Sequence, residues 1–318
     1  MNTCQHKRVF VLTVLCILVS LIAGSFAAAD QYPSKNIVWV VSSAPGGGFD
    51  TYARAISPYL SKYLPNRPKV IVKNVPGAGG LKGASQIYYA KPDGYTIGYI
   101  FYPGVAIIQL EKDIGFDITK MVPLAQIAVD AQGLFVPGKS NIKTIADLQK
   151  KDPVRILTQP KGVTMFSFNL IADRVLNLKA KFVTGYRGST VVATGLMRGD
   201  GDMGSLPVNN FIKYVESGDL RVLLTYTEKR HPLTPNVPAA GELGYSKTTV
   251  CKSWKVLFGP PGLPAGITRA LQDALEKSLN DPELQAWAVK AKRPLEYLDG
   301  QASWKELQEV FKVFKQYR

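Results

Sequence analysis

The chain has 318 residues, 46% of them hydrophobic and 20% charged, enough apolar material for two modest cores. Its 39 Lys and Arg against 24 Asp and Glu give a formal net charge of +15, a surface that favours anionic partners. No basic run interleaved with aromatics appears, which argues against nucleic acid, and the charges of "RALQDALEKSLNDPELQAWAVKAK" mix both signs as on solvated helix faces.

Residues 1–29 read as a secretory signal peptide. Lys7 and Arg8 form its basic end, Val9 to Ala23 its apolar run, and Ala27 to Ala29 the small residues before cleavage, expected after Ala29. The apolar run is shorter than the ~20 residues of a membrane span. Leu15 precedes Cys16 where a lipoprotein signal carries a small residue. Cleavage removes Cys4, Cys16 and His6, leaving Cys251 and His231 as single representatives. One cysteine makes no internal disulfide, and one Cys with one distant His are poor material for a metal site or a nucleophile. No metal or cofactor is expected, and His231, beside Pro232, reads as a surface turn residue.

The remaining chain alternates apolar runs with helical patterns. "NIVWVVS" predicts a strand and "FDTYARAISPYLSKYL" a helix; "KVIVKNV", "GAGGLKGASQIYYA" and "YTIGYIF" continue as strand, helix and strand. This order implies a parallel sheet with helices on its faces. A turn-rich stretch leads to strand material in "PLAQIAVDAQGLFVP". A second series runs from "VRILTQP" through "TMFSFNLIADRVLNL", "KFVTGY", "STVVATGLMRG", "GDMGSLP" and "NNFIKYVESG" to "LRVLLTYT". "KSWKVLFGPPGLP" gives another strand, and two amphipathic helices, near 265–280 and 301–316, end the chain. Two similar lobes are expected: residues 30–125 with 228–318, and residues 126–227, with a ligand cleft between them.

Glycines crowd two strand-to-helix junctions, Pro45-Gly46-Gly47-Gly48 and Pro76-Gly77-Ala78-Gly79-Gly80. Small residues there let ligand atoms reach backbone N–H groups at a helix N-terminus, a seat for a carboxylate or phosphate. Neither junction ends in the Gly-Lys-Ser/Thr of a phosphate loop, and the G-x-G-x-x-G spacing of a dinucleotide fold is missing. One junction alone would read as a plain turn; two on adjacent strands face one cleft. Asp50 is expected to cap the first helix, and Asp93 to shape a Pro-Asp-Gly turn. G-x-S-x-G, H-E-x-x-H and C-x-x-C do not occur.

The segments "VVSSAPGGGFDTYAR", "VKNVPGAGGLKGA" and "AKPDGYTIGY", then "GYRGST", "MRGDGDMGSLP", "SGDLRVLLTYTEKR", "NVPAAGELGY" and "FGPPGLPAGI", together resemble the solute-binding receptors of tripartite tricarboxylate transporters, the Bug family. The resemblance covers the whole mature chain. It implies a two-lobed α/β fold of the type II periplasmic binding protein class, each lobe a mixed sheet flanked by helices, with a crossing-strand hinge. It further implies a periplasmic, non-catalytic, monomeric receptor that holds a carboxylate and docks on membrane permease subunits.

On this resemblance, Ser43, Pro45, Gly46, Gly47, Gly48 and Phe49 of the first loop and Gly79 and Gly80 of the second seat the carboxylate. Tyr102, just past the third strand, is expected to wall the pocket. The second lobe supplies Gly162, Thr164, Phe166 and Ser167, then Arg187, Gly188, Ser189 and Thr190, and finally Asp202 and Ser205. Three departures from the family pattern stand out: Phe49 where a small or polar residue is common, Ser42-Ser43-Ala44 where an aromatic stretch is usual, and Asn169 near the place of a usual His. They leave room for an aromatic carboxylate stacked on Phe49 or Phe166 beside the di- and tricarboxylates. Three alternatives stay open: a sensor reporting to a membrane signalling partner, an exported enzyme, and a DNA-binding regulator, whose N-terminal helix-turn-helix place the signal peptide occupies.

Overall fold

The computed structural model describes residues 32–161 and 163–316; the expected signal peptide and Gly162 lie outside them. Strand β1 (Ile37–Val41) is a continuous apolar run because both its faces are covered, as in the middle of a parallel sheet. It pairs in parallel with β2 (Val70–Asn74) and β3 (Thr96–Tyr99), so that Val38 lies beside Ile71 and Thr96. Antiparallel strands extend the sheet: β9 (Lys252–Gly259) joins β3, the 16-residue β4 (Val122–Pro137) joins β9, and β10 (Leu298–Asp299) joins β4.

Helix α1 (Gly48–Tyr63) buries Tyr52, Ala53, Ile56 and Leu60, the i, i+4 stripe that its sequence predicts. Pro58 lies inside it and has no N–H for the Arg54 carbonyl; the Ser57 hydroxyl donates to that carbonyl instead, at 3.3 Å. The stripe packs with Leu271 and Leu275 of α8 (Ala265–Leu279) against Trp39, Val41 and Tyr99. The opposite face of the sheet is covered by α2 (Leu81–Tyr88), α3 (Gly104–Glu111) and α10 (Gly300–Gln316).

Beyond Ala131, β4 leaves β9 and pairs with β7 (Gly204–Pro207) and β8 (Leu220–Thr225), so one strand belongs to two sheets. Parallel strands β5 (Val154–Leu157) and β6 (Ala180–Val183) complete the second sheet through a bridge from Ile156 to Met203. Helices α5 (Thr164–Val175), α6 (Ser189–Arg198) and α7 (Val208–Glu216) cover it. One core runs across the junction, from Val105 and Ile100 to Phe168, Leu224 and Tyr226. The architecture is a two-lobed α/β fold with a crossing strand.

Three helices depart from the sequence reading. Residues 104–111, taken as part of a turn-rich stretch, form α3; "GVAIIQLE" is apolar on nearly every side, so it shows no helical period. The short α4 (Ile145–Gln149) starts with a capping box between Thr144 and Asp147. Helix α9 (Pro282–Lys290) makes three C-terminal helices rather than two; Asp281 caps it and Pro282 occupies its first turn.

Candidate functional site

The β1–α1 loop is fastened from below. Asp50 is not the cap of α1, as expected, but its third residue; Gly47 is the cap and brings no side chain to it. The Asp50 carboxylate reaches back instead, accepting from Gly46 N at 2.9 Å, Arg54 Nε at 3.1 Å and Asn74 Nδ2 at 2.9 Å. Burial pushes its pKa up, but the bonds from Arg54, Gly46 and Asn74 outweigh it and hold the group below its ordinary value. Gly46 takes a φ of +81° with open space around its Cβ position, and the first-turn amides of α1 are left without a side-chain acceptor. Ser43 Oγ is buried and has no partner.

The second loop runs through four successive left-handed residues, Gly77, Ala78, Gly79 and Gly80. Gly80 ends it pressed against the ring of Phe101, which itself lies 4.8 Å from the Phe49 ring. Phe101 was not singled out from the sequence, where it is one apolar residue among several after a strand. Tyr102 takes a different place from the expected pocket wall: it is 3% exposed, and its hydroxyl donates to the Leu307 carbonyl of α10 at 2.7 Å.

In the second lobe, the β6–α6 loop stands open. Gly185 and Gly188 have nothing within 4 Å of their Cβ positions, and Gly188 caps α6 without a side-chain bond. Ser189 and Thr190 are the first residues of α6, so neither hydroxyl caps it, and Arg187 is exposed. Phe166 lies 4.9 Å from Phe182, and the hydroxyls of Thr158 and Thr164 are buried without partners. Ser167 is buried in α5.

Asp202 and Ser205 are engaged inside the fold rather than in the cleft. Asp202 accepts from Arg155 N at 2.8 Å and from the Arg155 guanidinium, and pairs with Lys151 at 3.5 Å. Burial raises its pKa; the Arg155 bonds bring it below the ordinary carboxylate value. Ser205 is fully buried, its N–H donating to Asn169 Oδ1 at 2.9 Å and its hydroxyl 3.0 Å from that of Tyr226. Asn169 thereby ties α5 to β7, with its amide 3.4 Å from the Leu157 carbonyl. His231, expected at the surface, is half-buried, and burial pulls its pKa down.

Elements of the two lobes meet across the junction. The Cβ position of Gly48 lies 3.2 Å from Asn210 Nδ2 of α7, and that of Gly104 abuts Thr164 at the start of α5. Arg293 donates to Asn210 Oδ1 at 2.7 Å, Asn209 to the Lys292 carbonyl at 3.3 Å, and Lys292 pairs with Glu216 at 2.8 Å. Among the described residues, no three His, Cys, Asp or Glu converge on a point that could hold a metal, and no helix is long and apolar enough to cross a membrane.

Two sheets that share one strand, with α1 meeting α7 and α3 meeting α5 across their junction, define a two-lobed α/β protein. The comparisons with known proteins narrow the class. The profile described as "Tripartite tricarboxylate transporter family receptor" matches residues 52–315, and the chain belongs to that family. It is 30% identical over 281 residues to the "UPF0065 protein in gbd 5'region" of Cupriavidus necator, covering 86% of this chain and 84% of that one. The structure of the periplasmic binding protein BugD superposes with a TM-score of 0.77 at 23% identity, over 90% of this chain and 98% of that one. MatC of Rhodopseudomonas palustris, solved with bound malate, gives 0.77 at 21% identity, over 90% and 99%. The protein is accordingly a binding receptor and not an enzyme.

Proposed function

We propose that the protein is exported by the signal peptide at residues 1–29 and works in the periplasm as a monomer, capturing a carboxylate between its lobes and delivering it to the membrane subunits of a tripartite tricarboxylate-type transporter. The carrying observation is a helix N-terminus without a side-chain cap on each lobe: α1 behind Gly46–Gly48, and α6 behind Gly188. Each presents backbone N–H groups and a partial positive charge to an anion. In this reading Gly46, Gly47, Gly48, Gly79 and Gly80 receive one carboxylate on the first lobe, and Arg187, Ser189 and Thr190 close over the ligand from the second. The strand that crosses between the lobes in this reading is β4, whose partner changes from β9 to β7 at Ala131 and Gln132. Malate in MatC supports an organic acid as cargo here.

The aromatic-acid reading rests on Phe49 and Phe166. Both rings already have neighbours, Tyr99 at 5.4 Å and Phe101 at 4.8 Å for Phe49, and Phe182 at 4.9 Å for Phe166. Both also keep part of their surface exposed, which is the surface an aromatic cargo would stack on. Titration calorimetry of the purified protein against malate, citrate, adipate and benzoate decides both points. Binding of at least one aliphatic acid is expected; heat from none of the four overturns the carboxylate reading, and heat from benzoate alone selects the aromatic one.

A further inference from the structure

A charged pair lies beside the point where β4 changes partners, outside the loops described above. Lys255 of β9 and Asp130 of β4 stand on the two strands that meet there, 0% and 2% exposed, with Lys255 Nζ 2.5 Å from Asp130 Oδ2. The ammonium meets only one oxygen of the carboxylate, which leaves it with N–H groups to spare, and Asp130 Oδ1 has no donor. The Tyr99 hydroxyl, fully buried and close enough to Asp130 to feel its charge, has no partner either. Three polar atoms are thus sealed away from water with bonding capacity left over, which a fold tolerates where something else fills it.

The cover over them is thin. The Lys255 ammonium lies 4.8 Å from the Tyr52 ring centroid and 5.2 Å from that of Phe49, and Phe49 also lies 5.4 Å from the Tyr99 ring. Tyr52 and Tyr99 are fully buried, and the Tyr52 hydroxyl is fixed on the Pro294 carbonyl. Phe49 alone of the three rings reaches solvent, and it is the second residue of α1, on the loop that faces the opposite lobe. Rotation of Phe49 about χ1 is the movement that an approach to the pair from the cleft requires. Arg293 is near enough to act on both Lys255 and Tyr52, so the cluster of Lys255, Arg293 and Asp130 carries one positive charge in excess.

We propose that Lys255, Asp130 and Tyr99 form a polar subsite beneath Phe49 that reads a 2-hydroxy acid. The carboxylate of the cargo accepts from the Lys255 ammonium and the Tyr99 hydroxyl, while the hydroxyl on the neighbouring carbon donates to Asp130 Oδ1. The excess positive charge matches a single carboxylate. A carboxylate lacking the hydroxyl leaves Asp130 Oδ1 unpartnered, which is how such a site discriminates. This rests on the carboxylate-receptor reading above and specifies which acid it prefers.

The test is calorimetric comparison of malate with succinate, which differ by that one hydroxyl. The wild type is expected to bind malate about 10-fold or more tightly than succinate. Tyr99→Phe removes only a hydroxyl and is expected to weaken malate about 10-fold. The double variant Asp130→Asn/Lys255→Met removes both charges together, so that neither is left buried alone, and abolishes the preference. Equal affinity of the wild type for the two acids, or an unchanged malate-to-succinate ratio in Tyr99→Phe and the double variant, overturns the subsite while leaving the receptor reading intact. Failure of any acid to bind the wild type overturns both.

Discussion

The β1–α1 loop of the first lobe and the β6–α6 loop of the second are built in opposite ways. In the first lobe, the Asp50 carboxylate holds Gly46, Arg54 and the β2 residue Asn74 together, and Ser42 is fastened to the Tyr99 carbonyl at 2.8 Å. In the second, Gly185 and Gly188 have open space at their Cβ positions, Arg187 is exposed, and α6 begins without a side-chain cap. One seat is formed before the ligand arrives; the other is free to adjust as the lobes meet. On the carboxylate-receptor reading proposed above, the difference gives binding an order: an anion meets the fixed first-lobe seat, then draws the open second-lobe loop onto itself, and only the second step carries an ordering cost.

Substitutions in the fixed loop have the larger effects. Gly83 of α2 packs so closely on Ser42 that a side chain there collides with its backbone. Gly83→Val is expected to lower stability by about 3 kcal/mol in denaturant unfolding, with weakened ligand binding because Ser42 leads into the seat. Asp50→Ala comes next, at about 2 kcal/mol, since it removes a buried charged acceptor with three donors. Its pH signature is separate. Asp50 titrates lower folded than unfolded, so its contribution is present above the ordinary value of 3.8 and is lost as pH falls through the depressed folded value. The wild type should lose Tm more steeply than Asp50→Asn over that acid range. Parallel profiles would show that Asp50 does not anchor the loop. Asp202 repeats the pattern inside the second lobe, away from its open loop.

The same contrast explains what the sequence discloses. The strand–helix order is readable because apolar runs such as "IVWVV" are long, and the glycines after β1 and β2 mark where helices begin. Helix α3 is hidden by being apolar on nearly every side, and α9 by its continuity with α8 in one mixed-charge stretch that Asp281 and Pro282 divide in two. Residues joined only by the fold are the hardest to see. Asn210 and Arg293 reach Gly48 from two distant segments, and nothing local announces them. Asp130 and Lys255 left a trace, each an isolated charge inside an apolar strand, "AVDAQ" and "WKVLF". Asp202 and Ser205, by contrast, sit in the segments expected to reach a ligand, yet Arg155, Lys151, Asn169 and Tyr226 engage them within the lobe.

The smallest effects sharpen the contrast most. Gly46 has space around it but a left-handed φ of +81°, so Gly46→Ala is expected to cost about 1 kcal/mol. Gly188 has the same open space and an extended φ of 175°, which any residue adopts, so Gly188→Ala should change stability by no more than about 0.5 kcal/mol. That makes Gly188 a clean reporter. Nothing in the protein lies within 4 Å of its Cβ position, so a loss of affinity in Gly188→Ala at unchanged Tm can arise only where ligand or closing lobe approaches that backbone. A several-fold rise in Kd, measured calorimetrically, is the expected result. Unchanged Kd together with unchanged Tm would place the ligand away from the α6 N-terminus, and leave the fixed loop of the first lobe to hold it alone.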